Sequence, residues 1–81
     1  MQSEATVERL DSIIGQAGGI IAFAKEMDVS HQAVYAWKRR GSVPIERAVT
    51  IEALYGIPAR ELVAPSIAKA LDRAAAAAAV L

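Results

Sequence analysis

Residues 20–40, IIAFAKEMDVSHQAVYAWKRR, predict two short helices joined by a tight turn. The first, helix 2, is expected from about Gly19 to Met27, and the second, helix 3, from about Ser30 to Arg39. The second helix carries small polar groups first, an apolar inward stripe next and a basic cluster last. This order suits a helix that lies in the major groove of DNA, with its first turn near base edges and its end near phosphate.

The turn between the two helices depends on Asp28, Val29 and Ser30. Asp28 stands where the backbone requires a positive φ, a position that usually carries Gly but that Asp also enters. Val29 is expected to turn inward, and Ser30 is a favoured N-cap for the following helix. A connection this short forces a steep crossing between the helices, and the small side chain of Ala24 permits their close approach.

The second helix of the pair, helix 3, is expected to have one buried and one exposed side. Ala33, Val34 and Trp37 share the inward stripe, so Trp37 is predicted to be a core residue rather than a stacking platform for bases. Gly41 is predicted to follow the helix in the left-handed conformation. The residues predicted to point outward are His31, Gln32, Tyr35, Lys38 and Arg39.

Further helices are predicted on both sides of this pair. Helix 1 is expected over about 4–16, with Ser3 as its N-cap. Helix 4 is expected from Pro44 to about Tyr55, and a short fifth helix over about 59–63. The residues predicted to be buried in these last two helices are Ala48, Ile51, Leu54, Tyr55 and Leu62.

The predicted fold class is therefore all-α, a compact bundle of about five short helices over residues 1–64. Residues 65–81, PSIAKALDRAAAAAAVL, form an Ala-rich C-terminal tail. Its alanines favour a helix, but they offer little apolar surface to bury. Helical order is expected at first and fraying toward the end, and docking of a partner chain is a second role for the tail.

Size and composition exclude several classes of protein. The 81 residues allow one small domain, and a hydrophobic fraction of 54% predicts a packed core. The absence of Cys excludes thiolate metal sites, and one His leaves any zinc site to carboxylates, so neither a metal nor a cofactor is expected. A signal-peptide pattern and an apolar run of membrane-helix length are both missing. A soluble cytoplasmic protein is expected.

The formal net charge is zero, but the charge is unevenly distributed. Residues 1–28 contain two basic and five acidic side chains, whereas residues 29–50 contain four basic side chains and one acidic. Positive charge is therefore concentrated near the predicted helix pair, as in a nucleic-acid interface. The alternative for the basic run 38–40 is a solvated helix end, which the helix dipole also favours. Acidic helix 1 is expected to face away from DNA and to keep nonspecific binding low.

Two further features have both a binding and a structural interpretation. Gly18 and Gly19 leave backbone N–H groups open at a helix start, where they either hold a phosphate or form a hinge. Arg47 lies in the first turn of helix 4, where the helix dipole disfavours a cation. It is expected either to contact phosphate or to pair with Glu46 or Asp28.

Residues 10–63 resemble the Cro/YdaS-type helix-turn-helix proteins of phages, prophages and bacterial chromosomes, which belong to the lambda-repressor-like fold type. The glycine pair before helix 2 and the blocks VSHQAVYAWKRRG and VPIERAVTIE carry the resemblance. The spacing of Ala24, Val34 and Trp37 also matches the family. Asp28 departs from the usual Gly, and the Ala-rich tail lies outside the resemblance.

The resemblance implies a sequence-specific, operator-binding transcription regulator, often a repressor, and some relatives are labelled antitoxins. Carried onto this chain, the resemblance implies the contacts that follow, except the one at Gly19. That contact is expected from the open N–H group at the start of helix 2. Base contacts are expected from Ser30, His31, Gln32 and Tyr35. Phosphate contacts are expected from Gly19, Lys38, Arg39, Arg40 and Arg47.

The chemistry of the base-contacting residues supports these roles and leaves alternatives open. The Gln32 amide can bond adenine N6 and N7, or it is an ordinary solvated group. Ser30 serves only as the helix cap, or it combines the cap with a phosphate contact, or it contacts a base. His31 can donate to guanine or to phosphate, although a lone exposed His often has no role. Tyr35 contacts a thymine methyl group or a phosphate, or else it packs on helix 2.

A homodimer on a pseudo-palindromic DNA operator is expected, because one recognition helix covers only a few base pairs. Helix 4, helix 5 and the tail are the candidates for the dimer surface. The alternative function is a helical protein-interaction module, such as an antitoxin that binds a toxin or another protein. The sequence lacks a catalytic pattern or a phosphate-binding loop, so an enzyme is not expected.

Overall fold

Helices account for all the regular structure that is described. The computed structural model describes the backbone of residues 2–80 and the side chains of residues 5–78. Within that part the chain has no strand, and the predicted all-α fold class with a helical tail is confirmed. The elements are α1 (Gln2–Ala17), α2 (Ile20–Glu26), α3 (His31–Arg40), α4 (Ile45–Tyr55), a 3₁₀ turn (Ala59–Glu61) and α5 (Pro65–Val80).

The core lies where the inward stripes of the first four helices meet. Leu10 and Ile13 of α1, and Val34 and Trp37 of α3, are each at most 3% exposed. Large apolar side chains buried in this way contribute about 1.5–3 kcal/mol each. The expected core position of Trp37 is thus confirmed. The remaining core residues are Phe23, Ala24, Met27, Val43, Ala48, Ile51, Ala59, Leu62 and Val63.

The α2–α3 turn has the backbone that its sequence predicts. Asp28 has a φ of 56° and is the one non-Gly residue with a positive φ in the described part of the chain. Ser30 caps α3, because its side-chain oxygen accepts a hydrogen bond from the Ala33 N–H at 3.2 Å. Gly41 follows α3 in the left-handed conformation with a φ of 73°. These three residues fix where α3 begins and ends.

Side chains from α1 and α4 fasten the 3₁₀ turn to the bundle. The buried Thr6 hydroxyl donates to the Glu61 backbone oxygen at 3.1 Å, and Arg9 lies 2.6 Å from the Glu61 carboxylate. The Glu52 carboxylate of α4 accepts a hydrogen bond from the Ala59 N–H at 2.7 Å. The turn is therefore held against the core, as expected for the predicted fifth helix. It is shorter than that prediction, because it covers Ala59–Glu61 instead of 59–63.

Two element boundaries differ from the prediction. α1 begins at Gln2, so Ser3 lies inside the helix and is not its N-cap. Pro44 is the N-cap of α4 rather than its first helical residue. α5 begins at Pro65, where the predicted tail also begins, because proline fits the first turn of a helix, where the backbone N–H has no partner within the helix.

The prediction of a buried Leu54 is wrong, because its side chain is 53% exposed. Tyr55, which follows Ile51 by four residues, takes the inward position at the end of α4 and packs against the core. Leu54, the residue before Tyr55, therefore points away from the core into solvent. Among the described side chains of α5, only Ala68 and Leu71 pack against the core, and residues 72–78 are exposed.

The left-handed backbone at Asp28 predicts a difference between two substitutions. Gly adopts a positive φ freely, whereas a β-branched residue is strained there. We expect Asp28→Gly to stay within about 1 kcal/mol of the wild type and Asp28→Val to lose about 1–2 kcal/mol. Urea unfolding followed by circular dichroism measures both, and equal stabilities of the two variants would contradict this account of the turn.

Candidate nucleic-acid interface

The outward side of α3 carries two parallel lines of side chains, spaced at intervals of four and three residues. His31, Gln32, Tyr35 and Arg39 are exposed, so the predicted outward orientation of these four holds. The two lines are His31–Tyr35–Lys38 and Gln32–Ala36–Arg39.

Local contacts hold the first turn of α3 in place. The Ser30 oxygen is occupied as an acceptor by the helix cap, while its hydroxyl hydrogen stays available for donation. The His31 and Tyr35 rings lie edge to face, with centroids 6.3 Å apart and an interplanar angle of 87°. Tyr35 is 45% exposed, and its ring restricts the orientation of the imidazole beside it. Ser30 and His31 are therefore partly held in place, whereas the exposed Gln32 side chain has no such contact among the described residues.

The three consecutive cations at the end of α3 differ in their surroundings. Lys38 Nζ lies 2.8 Å from an Asp11 carboxylate oxygen of α1, and the two side chains are 33% and 54% exposed. Arg39 and Arg40 are exposed and form no ion pair with any described residue. The expectation that acidic helix 1 faces away from this site needs correction at Asp11, because α1 packs beside α3.

Arg47 contacts neither of the acidic partners that the sequence suggests. Its Nη1 donates to the backbone oxygen of Met27, at the end of α2, at 3.2 Å. The side chain is half-buried. Its visible role is therefore to cap the carbonyl end of α2, which also favours a positive charge.

The glycine pair before α2 is occupied by internal hydrogen bonds. The Gly19 N–H donates to Ile14 O at 2.9 Å, and the Gly18 N–H donates to Gly15 O at 3.2 Å. Both glycines have positive φ values, of 115° and 100°, which explains why glycine stands there. The expectation of open N–H groups at this pair is therefore wrong, because the chain turns back on the end of α1.

A hydrogen bond that the sequence did not predict joins the ends of α2 and α4. The Tyr55 hydroxyl donates to the Glu26 carboxylate. This bond, together with burial and the negative charge of Glu26, raises the pKa of Tyr55 above its ordinary value of 10.0. A raised pKa means that the bond contributes stability below pH 10 and loses it as the phenol ionises at higher pH. The contact therefore joins α2 to the end of α4.

Metal-binding clusters and membrane-spanning helices are both absent from the described part of the chain. No group of three or more His, Asp or Glu residues there is placed to hold a metal ion. None of the helices in that part is long and apolar enough to cross a membrane.

Comparison with known protein families gives a match over most of the helical bundle. Residues 10–63 match a family model described as "Bacterial toxin YdaS". The match covers two thirds of the 81-residue chain and contains the whole of α2, α3 and α4. No curated protein and no solved structure matches the chain.

The contact between Arg47 and Met27 predicts a stability difference between two matched substitutions. We expect Arg47→Met to lower the free energy of unfolding by about 1–2 kcal/mol, because the Met27 carbonyl loses its charged donor. Arg39→Met removes the same charge from an exposed position and should change stability by less than about 0.5 kcal/mol. Chemical denaturation compares the two variants, and equal losses would argue against the capping role of Arg47.

Proposed function

We propose that this chain, which belongs to the Cro/YdaS-type family of small helix-turn-helix proteins, binds double-stranded DNA sequence-specifically through the outward side of α3. The observation that carries the proposal is the division of α3 into two sides. Val34 and Trp37 are buried, while polar and basic groups occupy the exposed side. The major groove of DNA admits an α-helix, so the exposed side of α3 can face base edges while its buried side stays in the bundle.

Base contacts are proposed for the first turn of α3 and for Tyr35. The Gln32 amide has the donor and the acceptor that adenine N6 and N7 require. His31 beside it can donate to a guanine acceptor, and the exposed Tyr35 ring can contact a thymine methyl group. Ser30 keeps one hydroxyl hydrogen for a base or a phosphate oxygen, in addition to its role as the cap.

Phosphate contacts are proposed chiefly for Arg39 and Arg40, whose guanidinium groups are exposed and form no ion pair among the described residues. Lys38 joins them once its ammonium group leaves Asp11. Arg47 is a weaker member of the set, because it already donates to Met27. Gly19 is not retained, since its N–H group already donates to Ile14.

A homodimer acting as a transcriptional repressor on a pseudo-palindromic operator completes the proposal. Two copies of α3 read a longer site than one, and their separation must match about one turn of DNA. The proposed dimer surface is an apolar groove of about 390 Å³ between α4 and α5. Val49, which lines it, is 55% exposed. The proposal places the chain in the cytoplasm, where bacterial DNA lies.

A second candidate is a helical protein-interaction module, such as an antitoxin that binds a toxin or another protein; the description of the matching family contains the word "toxin". In that case a protein partner, bound through α1 or the Ala-rich α5, would carry the activity. This candidate predicts a co-purifying protein and no salt-dependent binding of duplex DNA. Binding rather than catalysis is proposed in both cases.

Substitutions at Gln32 and Arg39 should separate base reading from phosphate contact. Duplexes enriched from random DNA by the wild type supply a preferred site, and fluorescence anisotropy then compares it with a scrambled duplex. We expect Gln32→Ala to reduce the difference in binding free energy between the preferred and the scrambled duplex by about 1–3 kcal/mol. Arg39→Ala should weaken binding to both duplexes alike. It should also reduce the slope of log affinity against log salt concentration by about one. Unchanged affinity in both variants would refute the proposed interface.

The groove between α4 and α5 predicts a second pair of variants. Val49→Lys places a charge in the proposed dimer surface, whereas Leu54→Lys places the same charge at an equally exposed position elsewhere on α4. Sedimentation equilibrium without DNA should give a weakened dimer for Val49→Lys alone. A wild type that stays monomeric, or equal effects of the two variants, would rule out this surface.

A further inference from the structure

We infer that Asp11 is an internal competitor of DNA phosphate for the Lys38 ammonium group, and that it lowers the affinity of the chain for all duplexes. The inference starts from one contact, the 2.8 Å pair between Asp11 Oδ1 and Lys38 Nζ. It rests on the proposed function, because it concerns the same DNA-binding surface. It adds to that function a residue of α1 that makes no proposed contact with DNA.

The position of the pair places it at the edge of the candidate interface. Lys38 follows His31 by seven residues and Tyr35 by three, so it lies in the same line of α3. Arg39 and Arg40 next to it form no ion pair among the described residues. Of the three cations that end α3, Lys38 is thus the one held by an acidic group.

The chemistry of the pair makes exchange with phosphate feasible. A carboxylate and a phosphate accept hydrogen bonds from the same ammonium group. Both side chains remain partly open to solvent, at 33% and 54% exposure, so a phosphate oxygen can reach Nζ without unfolding of the bundle. When Nζ turns to phosphate, Asp11 loses its partner and stands close to a second negative charge.

Two consequences distinguish this competition from a merely structural ion pair. Removal of the Asp11 charge should raise DNA affinity, whereas loss of a pair that positions Lys38 for DNA would lower it. The gain should also shrink as salt rises, because salt screens exposed pairs. Because an exposed ion pair contributes at most about 1 kcal/mol, the expected gain in DNA affinity is about two- to fivefold at low salt.

The experiment compares Asp11→Asn with Glu8→Gln in the full chain. Glu8 is an exposed acid one turn earlier on α1 and forms no ion pair among the described residues, so Glu8→Gln removes the same charge without touching Lys38. Anisotropy titrations use the wild-type preferred duplex and a scrambled duplex, each at low and at high salt. Thermal melts of all variants confirm that each is folded.

We expect Asp11→Asn to bind both duplexes about two- to fivefold more tightly than the wild type at low salt. Glu8→Gln should give a smaller gain from net charge alone, and Asp11→Glu should stay at the wild-type level. In a Lys38→Met background, the gain from Asp11→Asn should fall to that of Glu8→Gln. The ammonium group for which Asp11 and phosphate compete is then absent.

Three results would overturn the inference. The first is an equal gain for Asp11→Asn and Glu8→Gln, and the second is a loss of affinity in Asp11→Asn. The third is a gain that persists in the Lys38→Met background. In all three cases wild-type DNA binding stands. Absence of any salt-dependent duplex binding by the wild type would instead remove the proposed function together with this inference.

Discussion

The burial of Val34 and Trp37 against the first helices of the bundle is the constraint on which the candidate interface depends. Truncation of a buried Trp costs about 3–5 kcal/mol, out of about 5–15 kcal/mol for a whole domain. α3 therefore cannot rotate about its axis without loss of the fold. Its polar side is held outward as a consequence, and Ser30 and Gly41 set its two ends.

The same packing decides which charges near α3 are available. α1 lies beside α3, so Asp11 reaches Lys38, while Arg39 and Arg40 point to solvent. Arg47 is drawn toward the carbonyl end of α2 instead. A chain with no net charge thus presents a locally basic surface, and one of its acidic residues lies at the edge of that surface. This balance is consistent with the proposed DNA binding, because low net charge keeps binding to nonspecific DNA weak.

Features that depend on neighbours in sequence were predictable, and features that depend on helix crossings were not. The left-handed Asp28, the Ser30 cap and the buried Trp37 follow from local spacing and turn chemistry, and all three are confirmed. The Lys38–Asp11 pair and the hydrogen bond from Gly19 to Ile14 join separate elements, so no periodicity in the sequence indicates them.

The most direct test of the account is the set of backbone amide shifts in a nitrogen–proton NMR spectrum as duplex DNA is added. DNA that contacts the outward side of α3 should shift the amides of residues 30–40 most, with smaller changes at the end of α2 and the start of α4. Shifts confined to α5 or to the outer face of α1 would contradict the central claim, and so would a spectrum that DNA leaves unchanged at low salt.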